Sequence, residues 1–328
     1  MKFKDALEAL DREQLIENHR STTRETYRGW VRDYLGLIKT REVADFQGYL
    51  DHLATVRLLA WKTRKQALNA IIFFHRRVLK VDVPPNSLNI GIPTKGKRVP
   101  VFLTHAECLA VIALLDNPIN KLQCILMYGC GLRVTECLTM RLKDVDLAAG
   151  MITVRSGKGD KDRTVRLPRA YYPMIEEQIR KCRRQFEKDS AAGLIFPIDD
   201  PALMRKLGRA QFKRLCWYWL FPSRVVREDE RWHATTRSLE KPLKEAAEAA
   251  GILKRVSPHV WRHSYATNLL LSGTDIRTLQ DQLGHASVET TEIYTHAVGF
   301  RGTESPLDKL GGTPAIGSII HFPGQRTA

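Results

Sequence analysis

The sequence predicts a mainly helical protein of two domains, with a small antiparallel sheet in the second. Apolar residues recur at helical spacing over most of the chain, one stretch rich in proline and glycine interrupts that pattern, and two short strand-like segments flank a glycine-containing turn. The 328 residues are 43% hydrophobic and 27% charged, which is typical of folded globular domains. This length is sufficient for two hydrophobic cores, and wholesale disorder is excluded.

The first domain, residues 1–83, is predicted to be helical. Three segments carry apolar side chains along one face: Ser21–Ile38, Glu42–Val56 and Trp61–Leu79. The third segment also has a basic flank, formed by Lys62, Arg64 and Lys65. A solvated helix face is the simpler interpretation of this flank, but in so basic a chain we favour contact with DNA.

Residues 84–100 are predicted to link the two domains. Helical periodicity stops here, and the stretch includes Pro84, Pro85, Pro93 and Pro100. Two further residues, Lys95 and Lys97, make the linker basic. We expect it to pass alongside DNA and to contact it through these lysines.

The second domain, residues 101–328, begins with a capping box from Thr104 to Glu107. Its predicted helices are Ile119–Tyr128, Val134–Met140, Tyr171–Lys188, Leu239–Ala250, Ser257–Ser272, Asp275–Leu283 and Val288–His296. Two strands, Met151–Arg155 and Arg163–Leu167, are predicted to form a hairpin around Gly157-Lys158-Gly159. Residues 191–237 give a poorer pattern, rich in aromatic residues, which we interpret as an irregular insertion.

The charge balance indicates a polyanionic partner. Lysine and arginine number 52 against 36 aspartate and glutamate residues, a net charge of +16. Nucleic acid is favoured over a membrane surface, because the sequence has neither a basic amphipathic anchor nor an apolar run of about 18 residues. The start lacks a signal peptide's apolar stretch, and none of the six cysteines forms a C-x-x-C pair. We therefore expect a soluble, intracellular protein without a metal site.

Several residues have the chemistry that phosphodiester cleavage needs: cations for the non-bridging oxygens, a nucleophile and a proton donor. Arg133 follows a glycine-rich turn at the start of a helix, and His259 and Arg262 lie one helical turn apart. Lys158 lies at the tip of the predicted hairpin. Each residue alone is weak evidence, since a surface cation or a buried histidine is a common alternative.

The order of the motifs is more specific than any single residue. It runs Gly129-x-Gly-Leu-Arg133-x-x-Glu136, Gly157-Lys158-Gly159, His259-x-x-Arg262-His263, Leu283-Gly284-His285 and Tyr294-Thr295-His296. This series resembles the tyrosine recombinases, the phage-integrase-like enzymes that exchange DNA strands. The resemblance implies an N-terminal SAM-like core-binding domain, a catalytic domain of the DNA-breaking-rejoining fold, and a C-shaped clamp formed by the two.

The resemblance also implies a role for each matching residue. Arg133 and Arg262 would clamp the scissile phosphate, and His285 would hydrogen-bond to a non-bridging oxygen. Lys158 would protonate the departing 5′ oxygen, His259 would assist as acid or base, and Glu136 would orient its neighbours. Tyr294 would attack phosphorus to give a 3′-phosphotyrosyl intermediate. Neither metal, cofactor nor ATP would be required, and a homotetramer would assemble on DNA.

Within this family, the insertion is most similar to that of integron integrases, which integrate and excise gene cassettes. The resemblance rests on Trp217-Tyr-Trp-Leu-Phe-Pro-Ser223, on Trp232-His233, and on Ser305-Pro-Leu-Asp-Lys-Leu310 in the tail, residues 297–328. Those enzymes recombine one site as a folded single strand, whose flipped bases require flat partners. Trp217, Trp232 and His233 are the candidates, with a local hydrophobic cluster as the alternative. The tail is expected to dock on a neighbouring protomer.

Other functions stay open at this point. Within the family, they are a phage-type or chromosome-resolving recombinase, or an enzyme that nicks DNA as type IB topoisomerases do. Outside it, a non-catalytic DNA-binding protein and a metal-dependent nuclease remain. The nuclease would use His259, His263, His285 and His296, but no paired carboxylate cluster supports it.

Overall fold

A computed structural model describes residues 3–17, 19, 21–41, 45–82, 100–155, 162–285, 287–292 and 294–295. Three predicted site residues, Lys95, Lys97 and Lys158, lie outside the described residues, as do most of the linker and the whole tail. The chain divides into two compact units, one of Met1–Lys97 with Ile198–Met204 and the other of Arg98–Pro197 with Arg205–Ala328.

The first unit contains helices α1 (Phe3–Ile16), α2 (Ser21–Thr40), α3 (Phe46–Thr55) and α4 (Trp61–Phe74). The predicted start of the second segment at Glu42 lies outside the described residues, and α3 begins at Phe46. Asp45 caps this helix, its carboxylate accepting a 2.8 Å hydrogen bond from the Gly48 amide. The third segment is α-helical to Phe74 and continues as a π-helical turn, His75–Leu79, so it is helical over its predicted length. Buried apolar residues of α2, α3 and α4 form the main core of this unit.

The helices that follow are α5 (His105–Leu114), α6 (Pro118–Gly129), α7 (Val134–Leu138), α8 (Tyr172–Ala191), α9 (Pro201–Leu207), α10 (Arg237–Ala249), α11 (Pro258–Leu271), α12 (Ile276–Leu283) and α13 (Glu289–Glu292). The predicted capping box forms at the start of α5, and Asp275 caps α12. Ser257 precedes α11 as predicted, but its side chain makes no capping hydrogen bond. The helix predicted over Val288–His296 is confined to the short α13 within the described residues.

The three-stranded antiparallel sheet of the second unit has the order β1 (Val145–Asp146), β2 (Met151–Val154), β3 (Arg163–Arg166). Ile152 pairs with Val165, and both are buried in the main core. The predicted hairpin is therefore present. Strand β1 was not predicted, because two residues are too few for an alternating pattern. The large core beside this sheet draws most heavily on α6 and includes the fully buried Trp261 of α11.

The insertion, residues 191–237, is more ordered than predicted. It contains α9, two short 3₁₀ turns and a second hairpin, β4 (Pro222–Arg227) with β5 (Glu230–His233). Asp189, in the last turn of α8, accepts hydrogen bonds from Arg231 of β5 and from the Tyr218 hydroxyl. All three side chains are buried, so this ion pair holds the hairpin to α8.

One arginine outside the insertion also holds it in place. The guanidinium of Arg141, a buried residue, donates to the carbonyl oxygens of Phe196 (3.0 Å), Pro197 (2.6 Å) and Trp217. It also lies over the ring of Trp219. Burial lowers the pKa of Arg141 well below its ordinary value, and the carbonyl dipoles replace the water that this cation lacks.

Across the described part of the chain, no helix combines the length and the apolar character that crossing a bilayer requires.

Candidate active site

The glycine-rich turn after α6 brings two arginines together. Gly131 has a positive φ of 64°, and a Cβ on it would lie 2.5 Å from the ring of Tyr265. Glycine is therefore required both by the backbone conformation and by the approach of α11. The turn leads directly to Arg133 at the start of α7, and the Gly131 carbonyl accepts a 2.7 Å hydrogen bond from Arg262.

Glu136 is a buried carboxylate shared by three arginines. It accepts hydrogen bonds from the amide and the Nη1 of Arg133 (2.8 and 2.6 Å) and from both terminal nitrogens of Arg163 (3.0 and 2.7 Å). The Nη1 atom of Arg262 lies 3.6 Å from its Oε2 atom. Burial alone would raise the pKa of Glu136, but Arg163 and the other arginines hold it below its ordinary value. The carboxylate is therefore charged at neutral pH and orients the guanidinium groups.

Arg262 connects this carboxylate to His285. Its Nη2 donates to the Leu283 carbonyl (2.6 Å) and lies 3.0 Å from Nε2 of His285. Because arginine only donates, Nε2 accepts, and Nδ1 of His285 carries the proton that faces Thr291 Oγ1 at 2.9 Å. Burial and the like charge of Arg133 lower the pKa of Arg262 to about 10, so it remains a cation at neutral pH.

Tyr294 lies beside this cluster with its side chain 4% exposed. Its ring is nearly parallel to that of His285, with centroids 6.4 Å apart, and its hydroxyl lies 3.0 Å from Nδ1 of His263. Burial raises the pKa of Tyr294, whereas the charges of Arg262 and Arg133 oppose that rise. A hydroxyl next to paired guanidinium groups suits attack on a bound phosphodiester.

The structure therefore brings together five of the seven predicted catalytic residues: Arg133, Glu136, Arg262, His285 and Tyr294. His259 is exposed on the first turn of α11, where its charge acts on the neighbouring His263. Lys158 lies outside the described residues. The strand that follows it, β3, begins at Arg163, whose guanidinium donates to Glu136.

Two residues of the site were missed by the sequence analysis. Arg163 reads as an ordinary polar strand residue, and nothing in the sequence signals its pairing with Glu136. His263 was considered only as a possible metal ligand, although its position directly after Arg262 in the His259-x-x-Arg262 motif was an available signal.

The basic residues predicted on α4 differ in exposure. Lys62 and Lys65 are exposed and line a shallow depression of about 540 Å³. Arg64 is half-buried. The two lysines are therefore accessible to a polyanion, whereas Arg64 presents only part of its side chain.

The aromatic candidates of the insertion are also placed differently from one another. Trp217 is half-buried with its ring centroid 4.8 Å from that of Phe212, so it belongs to a local aromatic contact. Trp232 and His233 line a cleft of ≈ 1100 Å³ between the second hairpin, α10 and the start of α6. The edge of His233 also meets Trp219, at 5.0 Å between centroids.

Comparison with known families covers both parts of the chain. The model described as "Phage integrase family" matches residues 102–299, and "Phage integrase, N-terminal SAM-like domain" matches residues 6–84. An "Integrase/recombinase" of Escherichia coli is 39% identical over 301 residues, 88% of each chain. The tyrosine recombinase XerD of Pseudomonas aeruginosa is 30% identical over 292 residues, 85% of this chain and 88% of that protein.

Solved structures share the fold at low sequence identity. The XerH site-specific recombinase in its pre-cleavage complex with difH substrate has a TM-score of 0.59 and 21% identity, covering 92% of this chain and 84% of that chain. The Tn1549 transposon integrase with transposon right end DNA also has a TM-score of 0.59, at 13% identity, covering 94% and 99%. The predicted mainly helical fold with small antiparallel sheets is thereby confirmed. Because the first family model spans more than half of the sequence, the chain belongs to the phage integrase family and is a tyrosine recombinase, a DNA strand-transferring enzyme.

Proposed function

We propose that this protein is a site-specific recombinase of the integron integrase type, which integrates and excises gene cassettes through a 3′-phosphotyrosyl intermediate. It acts on DNA as a homotetramer in the bacterial cytoplasm, at the nucleoid, without metal, cofactor or ATP. Residues 1–83 form the DNA-binding domain, 84–100 the linker and 101–328 the catalytic domain. The observation that carries the proposal is the position of Tyr294 beside the Arg262–His285 pair, with its ring nearly parallel to that of His285.

The proposed cleavage step assigns a task to five of the seven predicted residues. Arg133 and Arg262 bind the non-bridging oxygens. His285 donates a hydrogen bond to one of them when the bound phosphate replaces its Nε2 contact with Arg262 and Nε2 is protonated. Tyr294 Oη forms a bond to phosphorus while the bond from phosphorus to the 5′ oxygen breaks. Lys158 protonates the departing oxygen. The new phosphotyrosyl bond conserves the energy of the phosphodiester, so the reverse reaction rejoins a strand without ATP.

Charge and exposure support DNA as the partner. The net charge is +16, and Lys62 and Lys65 are exposed on the SAM-like domain. The XerH and Tn1549 proteins were solved with DNA bound. We propose that the basic face of α4 and the linker lysines Lys95 and Lys97 contact phosphates.

The insertion supports the integron type within the family. Trp232 and His233 line a cleft large enough for a nucleobase, and Arg224 and Arg227 lie at the same cleft. A flat ring next to cations suits an unpaired base with its phosphate. We propose that this cleft receives an extrahelical base of a folded single-stranded site. Trp217 serves the same purpose less well, because Phe212 already contacts its ring.

Covalent trapping tests the reaction. A nicked substrate loses the fragment that would rejoin, so a phosphotyrosyl adduct accumulates and is read by its shifted migration in a denaturing gel. We expect an adduct with the wild-type protein and none with Tyr294→Phe, which should keep its affinity for DNA. Equal adduct from both proteins would refute the assignment, and cleavage lost on addition of a chelator would favour a metal-dependent nuclease.

Comparing two substrates tests the integron type. We expect faster adduct formation on a bottom-strand hairpin of a cassette site than on its duplex, and we expect Trp232→Ala to remove this preference. Val225→Ala is the matched control, because Val225 lines the same cleft from the same hairpin and is 62% exposed. A duplex preference unaffected by Trp232→Ala would support a phage-type or chromosome-resolving recombinase instead.

Truncation tests the assembly. We propose that the tail, residues 297–328, docks on a neighbouring protomer and joins four subunits. A chain ending before Ser305 should bind a single site normally but fail to pair two sites, as measured by gel shift and by size-exclusion chromatography with light scattering. Equal loss of binding and pairing would contradict this role.

A further inference from the structure

The hydroxyl of Tyr294 has a histidine neighbour that the proposed mechanism does not use. Nδ1 of His263 lies 3.0 Å from Tyr294 Oη, with ring centroids 5.5 Å apart. His263 directly follows Arg262 on α11, so the helix that supplies the phosphate-binding cation also directs His263 to the nucleophile.

A buried tyrosine needs a proton acceptor in order to attack. Its hydroxyl is neutral at pH 7, because burial raises its pKa above the ordinary 10.0. The arginines cannot accept a proton. Both ring nitrogens of His285 are engaged, Nε2 with Arg262 and Nδ1 with Thr291. Hence His285 is poorly suited to the task, although its ring lies against that of Tyr294.

His263 has the protonation state that a base requires. Burial lowers its pKa below the ordinary 6.5, and the charges of His259 and Arg262 lower it further. Two groups act on Tyr294, the partner of His263. The ring of His285 is nearly parallel to the Tyr294 ring, and the charge of Arg133 opposes the rise of the Tyr294 pKa. His263 is therefore neutral at pH 7, and because histidine has two ring nitrogens, protonation of Nε2 leaves Nδ1 free to accept.

We propose that His263 is a catalytic residue, the general base that takes the proton of Tyr294. The Oη–H bond breaks, the proton passes to Nδ1 of His263, and Oη forms its bond to phosphorus as the bond to the 5′ oxygen breaks. The leaving oxygen takes its proton from the acid of the proposed mechanism. The inference rests on the proposed function, in which Tyr294 is the nucleophile.

Proton transfer accompanies the attack rather than preceding it. The tyrosine pKa is above 10.0 and the histidine pKa is below 6.5, so transfer without a new bond to phosphorus is unfavourable. Bond formation removes this barrier, because the phenolic oxygen loses its basicity as it becomes an ester oxygen. When the strand rejoins, His263 returns the proton to the departing tyrosine.

Two substitutions separate proton transfer from simple positioning. In His263→Asn, the amide oxygen lies near the former Nδ1 and can accept the hydrogen bond, but it cannot take the proton. His263→Ala removes both properties and leaves space for a small base. His105→Asn is the matched control, because Nδ1 of the exposed His105, on α5, contacts the Tyr128 hydroxyl at 2.8 Å.

The experiment measures single-turnover adduct formation by the full-length protein on the nicked substrate, as a function of pH. For the wild type we expect the rate to rise with pH through the lowered pKa of His263. Both His263 variants should react about 100-fold more slowly without this rise. Free imidazole should restore His263→Ala but not His263→Asn, and His105→Asn should behave as the wild type.

Different results would overturn the inference. A near wild-type rate for His263→Asn would mean that the contact only positions Tyr294, and a faster His263→Ala would mean that it restrains the nucleophile. DNA binding, measured by gel shift, shows whether each variant is folded. If His263→Ala does not fold, the comparison of His263→Asn with the wild type still tests the proposal. Absence of an adduct with the wild type, or its persistence in Tyr294→Phe, would instead refute the proposed function.

Discussion

Arg163 and Glu136 form a two-point ion pair in the interior of the catalytic unit, with N···O distances of 3.0 and 2.7 Å. The Nε atom of Arg163 also donates to the Gln282 carbonyl at 2.8 Å, just before the turn that carries His285. One side chain thus joins the first residue of β3 to α7 and to the end of α12.

We expect Arg163→Met to destabilise the protein by about 3 kcal/mol, because removing one partner of a buried pair leaves the other partly uncompensated. Adduct formation should fall as well, since Glu136 then orients Arg133 and Arg262 less firmly. Urea unfolding and the trapping assay measure the two effects. Arg166→Met on the same strand is the control, because Arg166 is exposed and should change stability little. Equal effects of the two substitutions would contradict this role for Arg163.

The pH dependence of stability should report the charge of Glu136. Its folded-state pKa lies below the ordinary value of 4.5, so its contribution is fully present above pH 4.5 and is lost as the pH falls through the lowered pKa. Glu136→Gln should therefore lose less stability than the wild type between about pH 6 and pH 3 in urea unfolding. Glu176→Gln is the control, because Glu176 is exposed on α8. Parallel curves for Glu136→Gln and the wild type would show that the Glu136 carboxylate is not the cause.

Gly131→Ala should destabilise the protein by about 3 kcal/mol, since the new methyl group meets both a positive φ and the Tyr265 ring. Gly193→Ala is the comparison, because Gly193 has a φ of 75° but open space around its Cβ position. It should cost only about 1 kcal/mol. Thermal or urea unfolding measures both. A cost for Gly131→Ala no larger than that for Gly193→Ala would show that Tyr265 moves aside freely.

The ion pair of Asp189 with Arg231 should decide whether the insertion stays folded. Asp189→Asn is expected to cost about 3 kcal/mol, because Arg231 is buried and loses its counter-charge. Tyr218→Phe removes one hydrogen bond to the same carboxylate and should cost about 1 kcal/mol. Limited proteolysis should cut residues 191–237 faster in Asp189→Asn. Unchanged cleavage would mean that other contacts are sufficient.

The sequence allowed prediction of elements with strong local signals. The Gly157-Lys158-Gly159 turn between alternating segments predicted the first hairpin, and Thr104 with Glu107 predicted the start of α5. The second hairpin was missed, because its apolar residues Val225 and Val226 are exposed and do not alternate toward a core. Such a strand is held by its neighbours rather than by its own pattern.

For the site, the motif order predicted that Arg133, Arg262, His285 and Tyr294 would converge, and the structure brings them together. The supporting contacts were not predictable, because an ion pair between Glu136 and Arg163 joins distant segments and leaves no periodic trace in one sequence. His263 was misjudged for a related reason. Only the fold shows that this position of α11 faces the tyrosine.

Arg141 makes the insertion inseparable from the domain that carries it. A chain engineered without residues 191–237 would leave a cation in an apolar interior, deprived of the three carbonyl groups that solvate it. A shortened enzyme would therefore need an uncharged residue at this position. Conversely, transplanting the insertion into a related scaffold would require transferring this arginine with it.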